Sequence, residues 1–346
     1  MLVGDKTWRS KIQTFNVSTI VIDEFHTIST WGEEQESEKQ AFRKWFSYIG
    51  ELRSLFPSAS VLALSATCTR KISKRVLKVL EMHKDTIEIR ISPNKPNIKL
   101  VVKKIPNTVE MAMAWLVDAI EEGMLPRTII YCTSIKDASN LYSYLINELT
   151  DVTLIEMYHS ETPEENKTKI IQGLKELNSH LQFVIATSAL GMGVDIANFY
   201  NVILFGAPNS VVDLIQEIGR VGRDGKDAVA LLLYNAYHLI KVDLEVKNMY
   251  KSLECRRLLM LKPFLSTLEF VEAKEGTGMH SCCDFCAINC SCGSCTLSDL
   301  EKLFQHTCDE ASESMSEDEN TEPYDLFDYD DIVDMSLLLD VMEVTE

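Results

Sequence analysis

Two hydrophobic patterns alternate along the 346 residues of the chain. Short runs dominated by apolar side chains occur at 19–22, 61–64, 87–91, 98–103, 128–131, 153–157, 182–186, 202–205 and 228–233. Runs of this kind leave little polar face for water, so they predict strands, most of them covered on both sides. Between them, 71–81, 109–121, 135–149, 163–177 and 211–218 place apolar residues three and four apart, the spacing of a helix with one buried stripe. Strands alternating with helices predict an α/β fold on parallel sheet, and no internal repeat interrupts the order.

The tract Ser92-Pro93-Asn94-Lys95-Pro96-Asn97 breaks this pattern, because proline lacks an amide donor and pushes its predecessor out of the helical region. It predicts a boundary, with a first lobe over 1–92 and a second over 93–235. A helical, cysteine-bearing segment over 236–308 and an acidic tail over 309–346 complete the division.

The formal net charge is −18, which argues against a nucleic-acid partner, since Lys and Arg supply most non-specific affinity for phosphates. The distribution changes that picture. Residues 309–346 hold 15 Asp and Glu and no Lys or Arg, so the residues before them carry only −3 (−18 less −15). The body is nearly neutral and the tail alone repels DNA. The tail's composition predicts disorder, with 324–342 able to fold on a protein partner or compete with DNA for basic surface. Residues 1–10 lack an apolar signal core and no run approaches the length of a membrane span, so the expectation is an intracellular chain, away from membranes, with reduced thiols.

Six short motifs follow in order. Ile20-Val21-Ile22-Asp23-Glu24-Phe25-His26 is an apolar strand ending in two carboxylates, and Ser65-Ala66-Thr67 follows the next strand. Ile129-Ile130-Tyr131-Cys132-Thr133-Ser134 and Tyr158-His159-Ser160 come next. The last two are Ala186-Thr187-Ser188-Ala189-Leu190-Gly191-Met192-Gly193-Val194-Asp195 and Gln216-Glu217-Ile218-Gly219-Arg220-Val221-Gly222-Arg223-Asp224-Gly225. Together they resemble the motif series of the RecQ family of superfamily 2 helicases. Trp31-Gly32 and Phe42-Arg43 resemble that family's aromatic-rich loop, which senses single-stranded DNA by stacking bases, although residues 33–41 separate the two pairs here. Phe25 stands where the relatives usually carry Ala or Cys. A plainer reading has Trp31 packing and Phe42, Trp45 and Phe46 forming the apolar face of a helix.

The resemblance implies RecA-like lobes, ATP and Mg²⁺ as cofactors, and movement 3′ to 5′ on DNA that is single-stranded or carries a 3′ overhang. It further implies a nuclear protein of DNA repair or recombination. By residue, it implies that Asp23 holds Mg²⁺ through water, that Glu24 activates the attacking water and that His26 joins them. Ser65, Ala66 and Thr67 would couple nucleotide state to DNA grip. Trp31, Phe42, Arg43, Ser134, His159 and Thr187 would touch DNA, with His159 equally readable as a surface histidine. Gly193, Asp195 and Gln216 would face the nucleotide. Arg220 and Arg223 would stabilise charge on the transferred phosphoryl group once the lobes close.

Cysteines add a metal. Cys283-x-x-Cys286 has the chelate spacing that lets a turn offer two thiolates to one tetrahedral Zn²⁺. With Cys255-Arg256-Arg257 upstream, the set resembles the RecQ zinc-binding subdomain, which implies Cys255, Cys283 and Cys286 as ligands. The fourth is Cys282 by softness or His280 by the family's spacing. Cys290, Cys292, Cys295 and Cys308 are then a second metal set or spare thiols, and spare thiols are the expectation.

No G-x-x-x-x-G-K-[ST] phosphate loop occurs in the sequence; Gly4-Asp5-Lys6-Thr7 matches only its end. The expectation is that Met1 starts partway through the first lobe, leaving that lobe unstable alone and the second lobe complete. Two functions compete: an incomplete RecQ-like ATP-dependent DNA helicase, or a catalytically inactive helicase-derived module that binds DNA or protein. An RNA helicase is disfavoured by the cysteine cluster and by Gly222-Arg223-Asp224-Gly225.

Overall fold

The computed structural model describes residues 10–26, 54–176, 178–191, 198–275, 279–293, 295 and 297–304. Trp31, Phe42, Arg43, Gly193, Asp195, Cys308 and the acidic tail lie outside them.

The first lobe contributes two parallel strands, β1 (Thr19–Ile22) and β2 (Ser60–Ala63), and one helix, α1 (Arg70–Val79). Thr69 starts α1 by accepting the amide of Ile72 at 3.2 Å, which satisfies one of the donors a helix leaves open. Val76 and Leu80 of this lobe pack on Ile22, Phe25 and Ala63. The outer sides of both strands stay open, with Val21 and Leu62 58% and 47% exposed.

The strand expected at 87–91 does not form. Ile87, Ile89 and Ile91 are each more than 80% exposed, and no ladder partner meets them among the described residues. Alternating side chains suit a strand, but a strand exists only where another backbone pairs with it.

The second lobe is a six-stranded parallel sheet. Its strands are β3 (Ile98–Lys104), β4 (Thr128–Cys132), β5 (Ile155–Tyr158), β6 (Phe183–Ala186), β7 (Asn201–Phe205) and β8 (Ala228–Tyr234), in the order β3-β8-β7-β4-β6-β5. Helices α2 (Val109–Glu121) and α3 (Ile135–Glu148) cover one face, and α4 (Glu164–Lys175) and α5 (Val211–Ile218) the other. Alternate residues of one strand feed the two faces: Ile129 and Tyr131 join the α4/α5 side, Ile130 and Cys132 the α2/α3 side. That double burial is why these strands read as unbroken apolar runs.

Beyond β8 the chain continues as α6 (Leu244–Lys251), α7 (Arg256–Leu261), α8 (Thr267–Glu275) and α9 (Asp284–Ile288), and residues 299–304 are helical. Helices α6 and α7 with Cys255, Cys282, Cys283 and Cys286 enlarge the α4/α5 face. Leu300 and Phe304 lie on the opposite face, where the Phe304 ring meets Trp115 edge-on at 5.4 Å. Strand β3 is a sheet edge, and the cysteine segment covers it. The Leu100 amide donates to the Cys282 carbonyl at 3.2 Å, and the Val102 amide to Asp284 Oδ2 at 3.2 Å. Among the described residues no helix is long and apolar enough to cross a membrane.

Candidate functional site

The acidic pair ends β1, at the carboxyl end of parallel strands where open α/β sheets bind ligands. Asp23 and Glu24 are exposed. Glu24 has φ +48, a left-handed conformation uncommon for a side-chain-bearing residue, and its amide donates to Asp23 Oδ1 at 2.9 Å. His26 is buried; its Nδ1 lies 2.7 Å from Ser65 Oγ and 3.2 Å from Glu24 Oε2. Ser65 Oγ also accepts the Thr67 amide at 3.3 Å.

The second lobe meets this group through Gln216. Its Nε2 is 3.0 Å from His26 Nε2 and donates to Thr67 Oγ1 at 3.1 Å. An amide NH₂ only donates, so His26 Nε2 accepts and the ring proton sits on Nδ1, a tautomer inferred from the bonding. Burial lowers the His26 pKa against the opposing pull of Glu24, Asp213 and Asp23, which keeps the ring neutral. Next to Gln216, burial and the neighbouring Asp213 raise the Glu217 carboxyl well above its usual range.

The arginine turn follows α5. Arg220 is half-buried and Arg223 exposed. The turn is held from the proline tract: Lys95 Nζ donates to the Gly219 carbonyl at 2.7 Å, and Asn97 Nδ2 to the carbonyls of Gly222 at 2.9 Å and Lys226 at 2.7 Å. Gly222 has φ +58, and a Cβ there would stand 2.6 Å from Asn97 Nδ2, so glycine is required twice over. Burial, then Arg223 and Arg220, lower the Lys95 pKa, which places its ammonium in the field of both arginines.

The residues expected on DNA divide. Ser134 caps α3, accepting the Asp137 amide at 3.0 Å and donating to Asp137 Oδ2 at 2.6 Å, while the residue itself stays exposed. Thr187 is buried, and its amide donates to the Tyr158 carbonyl at 3.1 Å. His159 Nδ1 accepts the Glu161 amide at 3.2 Å. Ala66 is exposed and Thr67 buried.

The cysteines form two groups where the sequence suggested one site and spare thiols. Cys255, Cys282, Cys283 and Cys286 are all buried with their sulfurs within 4.8 Å of one another, and Cys255 and Cys282 are 3.6 Å apart. The sulfur pair matches the edge of a tetrahedron about 3.8 Å long that Zn–S bonds of about 2.3 Å require. Hydrogen bonds from the neighbouring thiols lower the Cys283 pKa and raise that of Cys255, so this donor set already favours a thiolate. It fits Zn²⁺. Cys282, and not His280, stands with Cys255, Cys283 and Cys286; His280 lies in the second group, with Cys290, Cys292 and Cys295. Spacing counts residues, whereas the turn through 279–282 sends Cys282 inward and leaves His280 half-buried.

Residues 111–225 match the helicase conserved C-terminal domain. The chain is 33% identical over 223 residues to the probable ATP-dependent DNA helicase RecS of Bacillus subtilis, covering 64% of this chain and 42% of that protein. It is 31% identical to the ATP-dependent DNA helicase RecQ of Pasteurella multocida, covering 63% and 32%. The similarity is to ATP-dependent DNA helicases, RecQ among them. The chain spans less than half the length of these curated relatives. The Mycobacterium smegmatis helicase Lhr, solved with single-stranded DNA and AMP-PNP, shares the fold at TM-score 0.51 and 19% identity, covering 78% of this chain and 37% of that one.

Sequence reasoning missed the residues that connect the buried cysteine group to the arginine turn. The Arg257 guanidinium donates to Asn94 Oδ1 at 2.9 Å, to the Lys95 carbonyl at 2.7 Å, to the Ile98 carbonyl, and to the Cys282 carbonyl at 3.2 Å. Arg256 bonds Asp284 Oδ1 at 3.2 Å and the Met249 carbonyl at 2.7 Å. The available signal was the pair of arginines directly after Cys255, an expensive composition for a helix start unless both are paired.

Proposed function

We propose that this chain supplies the nucleotide-closing lobe and zinc segment of an ATP-dependent DNA helicase of RecQ type, moving 3′ to 5′ on single-stranded or 3′-tailed DNA in repair or recombination in the nucleus. The carrying observation is the bridge from Gln216 to His26 and Thr67, because it connects the α5 and arginine-turn element directly to the acidic pair and to Ser65-Ala66-Thr67. We divide the chain for this work at residues 92, 235 and 308. Asp23 is the residue to hold Mg²⁺, which neutralises phosphate charge when bound. Glu24 is placed to take a proton from water, with His26 beside it at 3.2 Å. Arg223, exposed on the turn, and Arg220 offer positive charge to the nucleotide, and Lys95 and Asn97 position them.

A second reading rests on a sequence fact. No phosphate loop occurs in these 346 residues, and such a loop is what holds a nucleotide in line for attack. A helicase-derived module that binds DNA or protein without hydrolysis follows if none is supplied. The discriminating experiment joins a relative's phosphate-loop region to this chain and measures DNA-stimulated ATP hydrolysis. Turnover that vanishes in Glu24→Gln supports the motor reading. Tight binding to 3′-tailed DNA with no turnover supports the module, and neither activity at low salt overturns both.

A further inference from the structure

The second group of soft ligands has no part in the motor. His280 Nδ1 lies 3.7 Å from Cys290 Sγ and 3.2 Å from Cys292 Sγ, and Cys292 Sγ is 3.3 Å from Cys295 Sγ. All four donor atoms fall within 4.8 Å of one another. A tetrahedron with Zn–S of about 2.3 Å and Zn–N of about 2.0–2.1 Å has edges of about 3.8 Å between sulfurs and about 3.5 Å between sulfur and nitrogen. The two sulfur–nitrogen separations lie on either side of their value, the sulfur–sulfur separation of 3.3 Å is somewhat shorter than its own, and all are far from the roughly 2.05 Å of a disulfide. Cys292-Gly293-Ser294-Cys295 is also a chelate sequence, and Gly293 takes φ +72 with nothing within 4 Å of its missing side chain. No packing demand accounts for that turn; bending one thiol back toward the other does.

The location gives the group a task. Cys283 and Cys286 are buried on the α4/α5 face of the sheet, whereas Leu300 and Phe304 are buried on the α2/α3 face. The chain between them therefore passes round the β3 edge of the sheet. Cys290 apart, the described residues from Asn289 to Leu297 are exposed, so no apolar core fixes the crossing. On its far side Lys99 of β3 bonds Glu301 at 2.8 Å, with both side chains buried.

We propose that His280, Cys290, Cys292 and Cys295 bind a second Zn²⁺, distinct from the site at Cys255, Cys282, Cys283 and Cys286, and that this metal clamps the crossing of the chain round the β3 edge. Three thiols lose their protons to solvent as three Zn–S bonds form, and neutral His280 adds Nδ1, leaving a site of net charge −1. Its outer thiolates are exposed, so the metal can leave it without unfolding the core.

The test is metal content and Co²⁺ spectroscopy on the full chain, purified under reducing conditions. Two zinc ions per chain are expected, falling to one in Cys292→Ser/Cys295→Ser, whose substitutions sit on the surface and leave the buried site intact. His280→Cys should keep two. With Co²⁺ in place of zinc, the difference spectrum between the chain and Cys292→Ser/Cys295→Ser should be that of a three-sulfur, one-nitrogen tetrahedral site, moving to that of a four-sulfur site in His280→Cys. One zinc in the unaltered chain overturns the proposal, as do two in Cys292→Ser/Cys295→Ser. A mass two hydrogens short, with Cys292 and Cys295 joined, overturns it as well. If a variant misfolds, the Co²⁺ shift in His280→Cys decides the question alone.

Discussion

His26 Nε2 and Gln216 Nε2 lie 3.0 Å apart, 190 positions distant in sequence, and this contact ties the acidic pair's neighbour to the helix that carries the arginine turn. It requires a neutral imidazole, because a protonated ring has no lone pair to offer the amide.

Burial depresses the His26 pKa below 6.5, so the folded chain binds fewer protons than the unfolded chain in mild acid. The contact is fully present above about 6.5 and is lost as pH falls through the lowered folded value. His238 is lowered by burial too, so the measurement is a difference. Thermal midpoints of the chain and of His26→Asn should start about 1 kcal/mol apart at pH 7, the net worth of a typical hydrogen bond, and converge as pH falls below about 6.5. Parallel curves would show that His26 does not titrate with folding.

Arg257 is buried and donates to four acceptors in the proline tract, at the start of β3 and in the cysteine segment. Lysine keeps the charge but not the planar fork. Arg257→Lys should destabilise the chain by about 1–3 kcal/mol for each acceptor left without a partner. Denaturant unfolding followed by zinc release reads both effects, and release should precede unfolding.

Ser298 and Glu301 cap each other: Glu301 Oε2 accepts the Ser298 amide at 2.9 Å, and Ser298 Oγ the Glu301 amide at 3.3 Å. Burial pushes the Glu301 carboxyl up, but bonds from Lys99 and Ser298 outweigh it and leave the pKa lowered. Its contribution is present above about 4.3 and is lost as pH falls through the folded value. Glu301→Gln should cost about 3–5 kcal/mol at neutral pH, because it strands a buried Lys99. A midpoint of unfolding unchanged at pH 7 refutes this.

The 346-residue chain should show no DNA-stimulated ATPase. Positioning of reactants is worth about 7–11 kcal/mol, and no phosphate loop in this sequence provides it. Hydrolysis by the purified chain that disappears in Glu24→Gln would mean that another part of the protein holds the phosphates.

Removing residues 309–346 takes away 15 carboxylates and leaves a body of charge −3. Affinity for single-stranded DNA should rise while the salt slope changes little, as measured by fluorescence anisotropy across a salt series. Equal affinity with and without the tail eliminates competition between the tail and DNA.

By itself, the sequence determined the α/β class, the order of strands and helices in the second lobe and the motif series, because unbroken apolar runs, a 3.6-residue period, short motifs and a proline boundary are local properties of the chain. It also selected Cys283 and Cys286 through chelate spacing, and Cys255 through the resemblance that Cys255-Arg256-Arg257 carries. Only the tertiary structure decided which sulfurs meet: Cys282 turns inward while His280, two residues earlier, joins Cys290, Cys292 and Cys295. Only tertiary structure showed that Ile87, Ile89 and Ile91 lack a pairing partner among the described residues, that Ser134 is spent on a helix cap, and that Lys95, Asn97 and Arg257 support the arginine turn. The physical reason is the same in each case. Spacing along a chain fixes what a residue can reach within one turn or one strand, whereas convergence of groups from residues 26, 95, 216 and 257 depends on how separate elements pack, and no local pattern encodes that.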